Sequence, residues 1–134
     1  MSSGWWRTAD EMAAEFRRRF AARSDSDFLA DCGVIGDPDA ERAALAVRRS
    51  VARYGAITPE HIYASHSYPG ELESLSNWDS LDFIGWALEL ELELGIKVQR
   101  GWFDLLPQPF SVYDLVLAVQ RHLGDQTPPQ KEPN

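Results

Sequence analysis

Trp78-Asp79-Ser80-Leu81-Asp82-Phe83-Ile84-Gly85-Trp86-Ala87-Leu88-Glu89-Leu90-Glu91-Leu92-Glu93-Leu94-Gly95 reads as one helix with a marked start and a marked stop. Asp79 suits the N-cap and Asp82 the third helical position, where carboxylates meet free backbone donors and the positive pole. Gly85 is the one poor helix former in the run, and Gly95 supplies the stop. On a wheel of about 100° per residue, Phe83, Ala87, Leu90 and Leu94 form a core stripe flanked by Trp86. Leu81, Ile84, Leu88 and Leu92 form a second apolar stripe roughly opposite, bordered by Glu89, Glu91 and Glu93. A helix with two apolar faces belongs to a helical bundle and needs a second cover, from the same chain, a partner or another copy. Ser80 falls at the first helical position, beside unpaired N–H groups that favour a phosphate or phosphodiester.

Upstream, Asp37-Pro38 opens a helix that carries Ala44, Leu45, Val47, Val51 and Ala52 on one face and ends at Gly55. The stretch from Ala56 to Asn77 has two prolines and no sustained helical period, so it is expected to be a long loop leading to the serine. Earlier still, Thr8 and Glu11 form a capping pair, and Met12, Phe16 and Phe20 share a face, which predicts a helix over 8–23. A Ser-Asp-Ser-Asp run then introduces a short apolar turn, Phe28-Leu29-Ala30, stopped by Gly33. Downstream, a brief apolar turn over 102–106 precedes a last helix from Val112 to Leu123, opened by Ser111 and Asp114. Residues 125–134 are polar and proline-rich and are expected to be a disordered tail.

The chain has 134 residues, 44% of them hydrophobic, and a formal charge of -8. That size supports one core, and that charge disfavours nucleic acid and anionic membranes. A lone cysteine, Cys32, and the lack of a long apolar run near the start point to a cytoplasmic protein. CxxC, HExxH, GxGxxG and GxxxxGK[ST] patterns do not occur, and His61, His66 and His122 are scattered.

Asp79-Ser80-Leu81-Asp82, joined without a gap to Ala87-Leu88-Glu89-Leu90-Glu91-Leu92-Glu93-Leu94-Gly95-Ile96-Lys97-Val98, resembles the acyl carrier protein family. In that family an Asp-Ser-Leu opens the second helix and a Leu-Glu-rich stretch comes after it. The likeness covers about 40–124. It implies an all-α fold: a four-helix bundle with a long first loop over 37–124, extended here by a helical segment over 1–36. It implies a 4'-phosphopantetheine arm on Ser80, positioned by Asp79, Leu81 and Asp82 and attached by a separate phosphopantetheinyl transferase. Ile84, Leu88, Glu91 and Leu92 would face partners, the acyl-processing enzymes of fatty-acid or polyketide biosynthesis. The chain itself would catalyse nothing, since the transferase supplies the chemistry and the carrier only an exposed hydroxyl. Where the family has glycine three residues before the serine this chain has Asn77, which also tolerates a left-handed backbone. Trp78 is unusual there, and Gly85 and Leu92 replace acids on the partner side.

Two other readings compete. In one, the acids merely cap the helix and the protein is an unmodified carrier-like interaction module, monomeric or homodimeric. In the other it is an enzyme, although no nucleophile is paired with a base. The Met12-Phe16-Phe20 helix is expected to cover the second stripe of the serine helix. Trp5 and Trp6 read as packing onto the first helix, His61, His66, Tyr63 and Tyr68 as a surface loop, and Cys32 as a small buried hydrophobe.

Overall fold

In the computed structural model the described residues are 8–78, 83–98 and 106–125. Helix α1, Ala9–Arg19, begins with the expected reciprocal cap: the Glu11 amide donates to Thr8 Oγ1 (3.1 Å) and the Thr8 amide to Glu11 Oε1 (2.9 Å). It stops four residues before the expected end. Phe20 is extended (φ -129°), which lays its ring on Tyr63 and His66, and the Arg23 amide leaves the helical pattern to donate to the Glu60 carbonyl (2.8 Å). Tertiary contacts outbid helix propensity at that point.

The short apolar turn is a full helix, α2 (Asp25–Cys32), capped by Ser24 and closed by a left-handed Gly33 at φ 71°. Helix α3 (Pro38–Tyr54) is capped by Asp37, with Pro38 in the first turn. It is the axial element: α4 and α5 both pack against it, and α2 contacts it as well. The connection from 55 to 78 is irregular as expected, but it contains single 3-10 turns at Pro59–His61 and Glu71–Ser74. It also holds strand β1 (Ser67–Tyr68), which pairs antiparallel with β2 (Phe110–Ser111) in the register Ser67↔Ser111. Helix α4 runs over Phe83–Leu94 and ends at Gly95, φ 71°, with Arg42 Nη2 donating to the Leu94 carbonyl (3.0 Å). Helix α5, Val112–Asp125, passes through Gly124 and is opened by the predicted Ser111–Asp114 pair (2.9 and 3.0 Å).

Among the described residues the fold is therefore mostly helical with one two-stranded bridge. The start of the serine helix at 79–82, nearly all of the expected turn over 102–106 and the tail from 126 lie outside the described residues. One buried cluster joins Val47 and Val51 of α3, Trp86 and Leu90 of α4, Leu115 and Val119 of α5, and Phe16 and Phe28 of the N-terminal segment. Trp86 sits in the centre of the α4 core line with Leu90 and Leu94, and not at its flank.

The packing expected of α1 is not what forms. Its Phe16 is fully buried against His66, with Phe20 beside it, so the helix rests on the long loop. On α4 the second stripe stays exposed: Ile84 at 48%, Leu88 at 57% and Leu92 at 74%. The physical reason lies in the loop, whose aromatic side chains offer α1 a closer match than aliphatic Leu88 and Leu92 would.

Candidate functional site

The candidate attachment residues Asp79, Ser80, Leu81 and Asp82 lie outside the described residues, so the site is defined by its flanks, the turn at Asn77 and Trp78 and the body of α4. Asn77 has φ 69°, the left-handed conformation that its short side chain tolerates, and its Nδ2 donates to the Tyr54 carbonyl (3.0 Å). The orphan carbonyl at the end of α3 is thereby satisfied by the turn before the serine. Trp78 comes next, fully buried. Its indole Nε1 donates to the Val51 carbonyl (3.1 Å), and its ring meets the edge of Tyr54 (5.3 Å, 85°). The bulk of Trp78 thus packs the loop onto α3.

Across the same seam, Trp86 Nε1 donates to Ser50 Oγ (2.8 Å), which donates on to the Val47 carbonyl (2.9 Å). A buried hydroxyl and two indole N–H groups are all paired, so the α3–α4 seam is fixed in register. Gly85 is needed at the contact: a Cβ there would stand 2.7 Å from Tyr54 Cε1.

On the solvent side, Leu88 and Leu92 are exposed between acidic borders that are largely committed. Arg53 pairs with Glu89 (3.2 Å) and with Glu93, and Arg49 Nη1 lies 4.0 Å from Glu93. Glu91, expected to face partners, is half-buried, and its Oε2 accepts the Val98 amide (2.8 Å), closing the turn after the helix. What this face offers a partner is mainly aliphatic.

No family model, curated protein or solved structure matches this chain.

Two groups of side chains carry no signal of their role in local sequence. Arg48 is 1% exposed. Its Nε donates to the Ile62 carbonyl (3.0 Å), Nη1 to Asp25 Oδ1 (2.8 Å) and Nη2 to the Arg23 (2.7 Å) and Glu60 (3.1 Å) carbonyls, while its guanidinium stacks 4.7 Å over Phe28. The one available hint is its position four residues from Ala44 and three from Val51, on the apolar stripe of α3. His66 is the second. The segment expected to be a surface loop is in fact partly interior, with His66 1% exposed, stacked on Tyr63 (4.6 Å, 12°) and met edge-on by Phe16 and Phe20. Desolvation, first of all, pulls its pKa down to about 4.

Cys32 is buried, and desolvation pushes its thiol up to about 11, which makes it a packing residue and a poor nucleophile. Trp5 and Trp6 lie outside the described residues. Among the described residues no three His, Cys, Asp or Glu side chains form a metal-holding group, and no helix is long and apolar enough to cross a membrane. A cleft of about 810 Å³ lies away from α4, between Ser24, Asp27 and Asp31 on one side and Tyr63 and Tyr113 on the other.

Proposed function

We propose that the chain is an acyl carrier-like protein that bears acyl groups on a 4'-phosphopantetheine arm, joined through a phosphodiester to Ser80 by a separate transferase. The observation that carries this reading is the aliphatic line of Leu88 and Leu92, with Ile84, exposed on α4, the helix that comes after the Asp79-Ser80-Leu81 sequence in the chain. An exposed aliphatic line on one helix is the kind of surface that transient protein partners use. Asn77 and Trp78 add support. The first supplies the left-handed turn for which the family uses glycine, and the second is buried in the core rather than standing out from the surface. The arm supplies the thiol that carries the acyl group, and the chain's own residues contribute the hydroxyl, its helical frame and the docking face. Fatty-acid or polyketide enzymes are the partners this reading calls for, and the cytoplasm is the compartment it suits.

A second reading, an unmodified carrier-like interaction module, is favoured by one observation. Glu89 and Glu93 are already paired with Arg53, which leaves the α4 face to bind through apolar contact alone. Intact mass after co-expression with a promiscuous phosphopantetheinyl transferase separates the two. A gain of one phosphopantetheine, absent in Ser80→Ala, is the expected result. A folded protein with no gain sinks the carrier reading and leaves the module.

A further inference from the structure

His66 sits where three parts of the molecule meet. Its ring lies between Phe16 and Phe20 of the N-terminal segment and Tyr63 of the loop, and its carbonyl accepts the Val112 amide of α5 (2.8 Å). The Tyr63 amide donates to Nδ1 (3.1 Å), which places the ring proton on Nε2. Nε2 is buried and has no hydrogen-bond partner. A second proton would bring an N–H at Nδ1 against the Tyr63 N–H, two donors facing each other, and would bury a cation with no acceptor at Nε2. We propose that His66 is the catch of an acid-released latch: protonation of its ring frees helix α1 from the body of the protein.

Of the charged groups around the ring, two arginines favour release and one carboxylate opposes it. Arg19, on α1 itself, and Arg48, on α3, both oppose a positive charge at His66. Glu71, in the loop, favours that charge, but its Oε1 is occupied by the Ser67 amide (3.0 Å) and hydroxyl (3.1 Å). From β2 and α5 the contact described is the neutral Val112 amide. His61, at the other end of the seat, has Nδ1 2.7 Å from the Phe20 carbonyl and Nε2 3.9 Å from Glu60, a tie between the loop and Phe20 that does not pass through His66. The latch therefore turns on His66.

Opening stays local for two reasons. Helix α1 is 11 residues long with two buried residues, Ala13 and Phe16, so its order depends on the seat that it occupies. Beyond α1 the Phe20 carbonyl is tied to His61 (2.7 Å), the Ala21 carbonyl accepts the Tyr63 hydroxyl (2.7 Å), and Arg48 grips the Arg23 carbonyl and Asp25, so α2 stays in place when α1 leaves. The direction comes from linkage. The docked ring has a pKa lowered from 6.5 to about 4, so the docked form binds fewer protons and loses ground as pH falls through that window.

The test is hydrogen exchange on the full chain from pH 7 to pH 4, corrected for the intrinsic pH dependence, beside an NMR titration of the His66 ring. The amides of α1 should lose on the order of 100-fold protection between pH 7 and pH 4, most of what a shift from 6.5 to about 4 carries, while α3 keeps its own. In His66→Phe, α1 should remain protected to pH 4. Constant α1 protection in the wild type overturns the proposal. Simultaneous loss in α1 and α3, or the same acid response in His66→Phe, does so too. Should His66→Phe fail to fold, the wild type alone decides: the α1 midpoint and the His66 titration must coincide, and a separation of about a pH unit or more refutes the latch.

Discussion

Arg48 shows how much one side chain can decide. A guanidinium removed from water loses several kcal/mol of solvation, and it is retained only where its planar fork is matched by acceptors. Here the acceptors are the Arg23, Glu60 and Ile62 carbonyls and one carboxylate, so one residue of α3 ties the start of α2 to the loop. Arg48→Ala should lower the unfolding free energy by about 3 kcal/mol in urea titration, because the Ile62 and Arg23 carbonyls lose this donor, Glu60 keeps only the Arg23 amide, and a buried side chain is removed from the core. Arg48→Lys should recover less than half of that, since an ammonium cannot reach four acceptors in one plane; full recovery would show that charge alone matters. Nothing local in the sequence announces this arrangement. The acceptors come from positions 23, 25, 60 and 62, and spacing that sets Arg48 on the apolar stripe of α3 does not show what it meets there. His66 is hidden for the same reason: its partners Phe16 and Phe20 lie more than forty residues earlier in the chain.

Among the elements, the caps are the most legible feature. Thr8 with Glu11, Asp37 with Pro38, and Ser111 with Asp114 each act within one turn, so sequence spacing suffices to find them. Ser111→Ala should accordingly cost about 1 kcal/mol, read as a shift in urea midpoint at constant slope. The end of α1 is not legible, because the loop that captures Phe20 decides it. The seam between α3 and α4 yields a sharper prediction, one of sign. Gly85→Ala gains about 1 kcal/mol of helix propensity but drives a Cβ to 2.7 Å from the Tyr54 ring, which is held against Trp78. The net effect should be destabilising in the wild-type background and stabilising in Tyr54→Ala, where the ring is gone. A stabilising Gly85→Ala in both backgrounds would mean that Tyr54 swings aside freely and that the close approach does not set the register.

For the molecule as a whole, the sequence shows two apolar surfaces in search of cover, the Met12-Phe16-Phe20 face and the outer stripe of the serine helix, and the simplest inference joins them. The fold does not, because an inventory of apolar faces carries no information about which face an irregular loop will offer. Tyr63 and His66 form the seat of α1, and Leu88 and Leu92 remain exposed. This arrangement separates two properties that the simpler pairing would have linked. Removing residues 1–36 strips Arg48 of Asp25 and the Arg23 carbonyl and opens the sites of Phe16, Phe28 and Cys32 in the common core. A loss on the order of 3 kcal/mol should lower the melting temperature by about 10 °C or more in a domain of this size. The α4 face should be indifferent, since nothing from 8–36 covers Leu88 or Leu92. At a temperature where the truncated protein is folded, the transferase should therefore load Ser80 at the rate seen with the full chain. An unchanged melting temperature would show that the extension is an independent appendage, whereas a large gain in loading rate would show that it shields the serine helix after all.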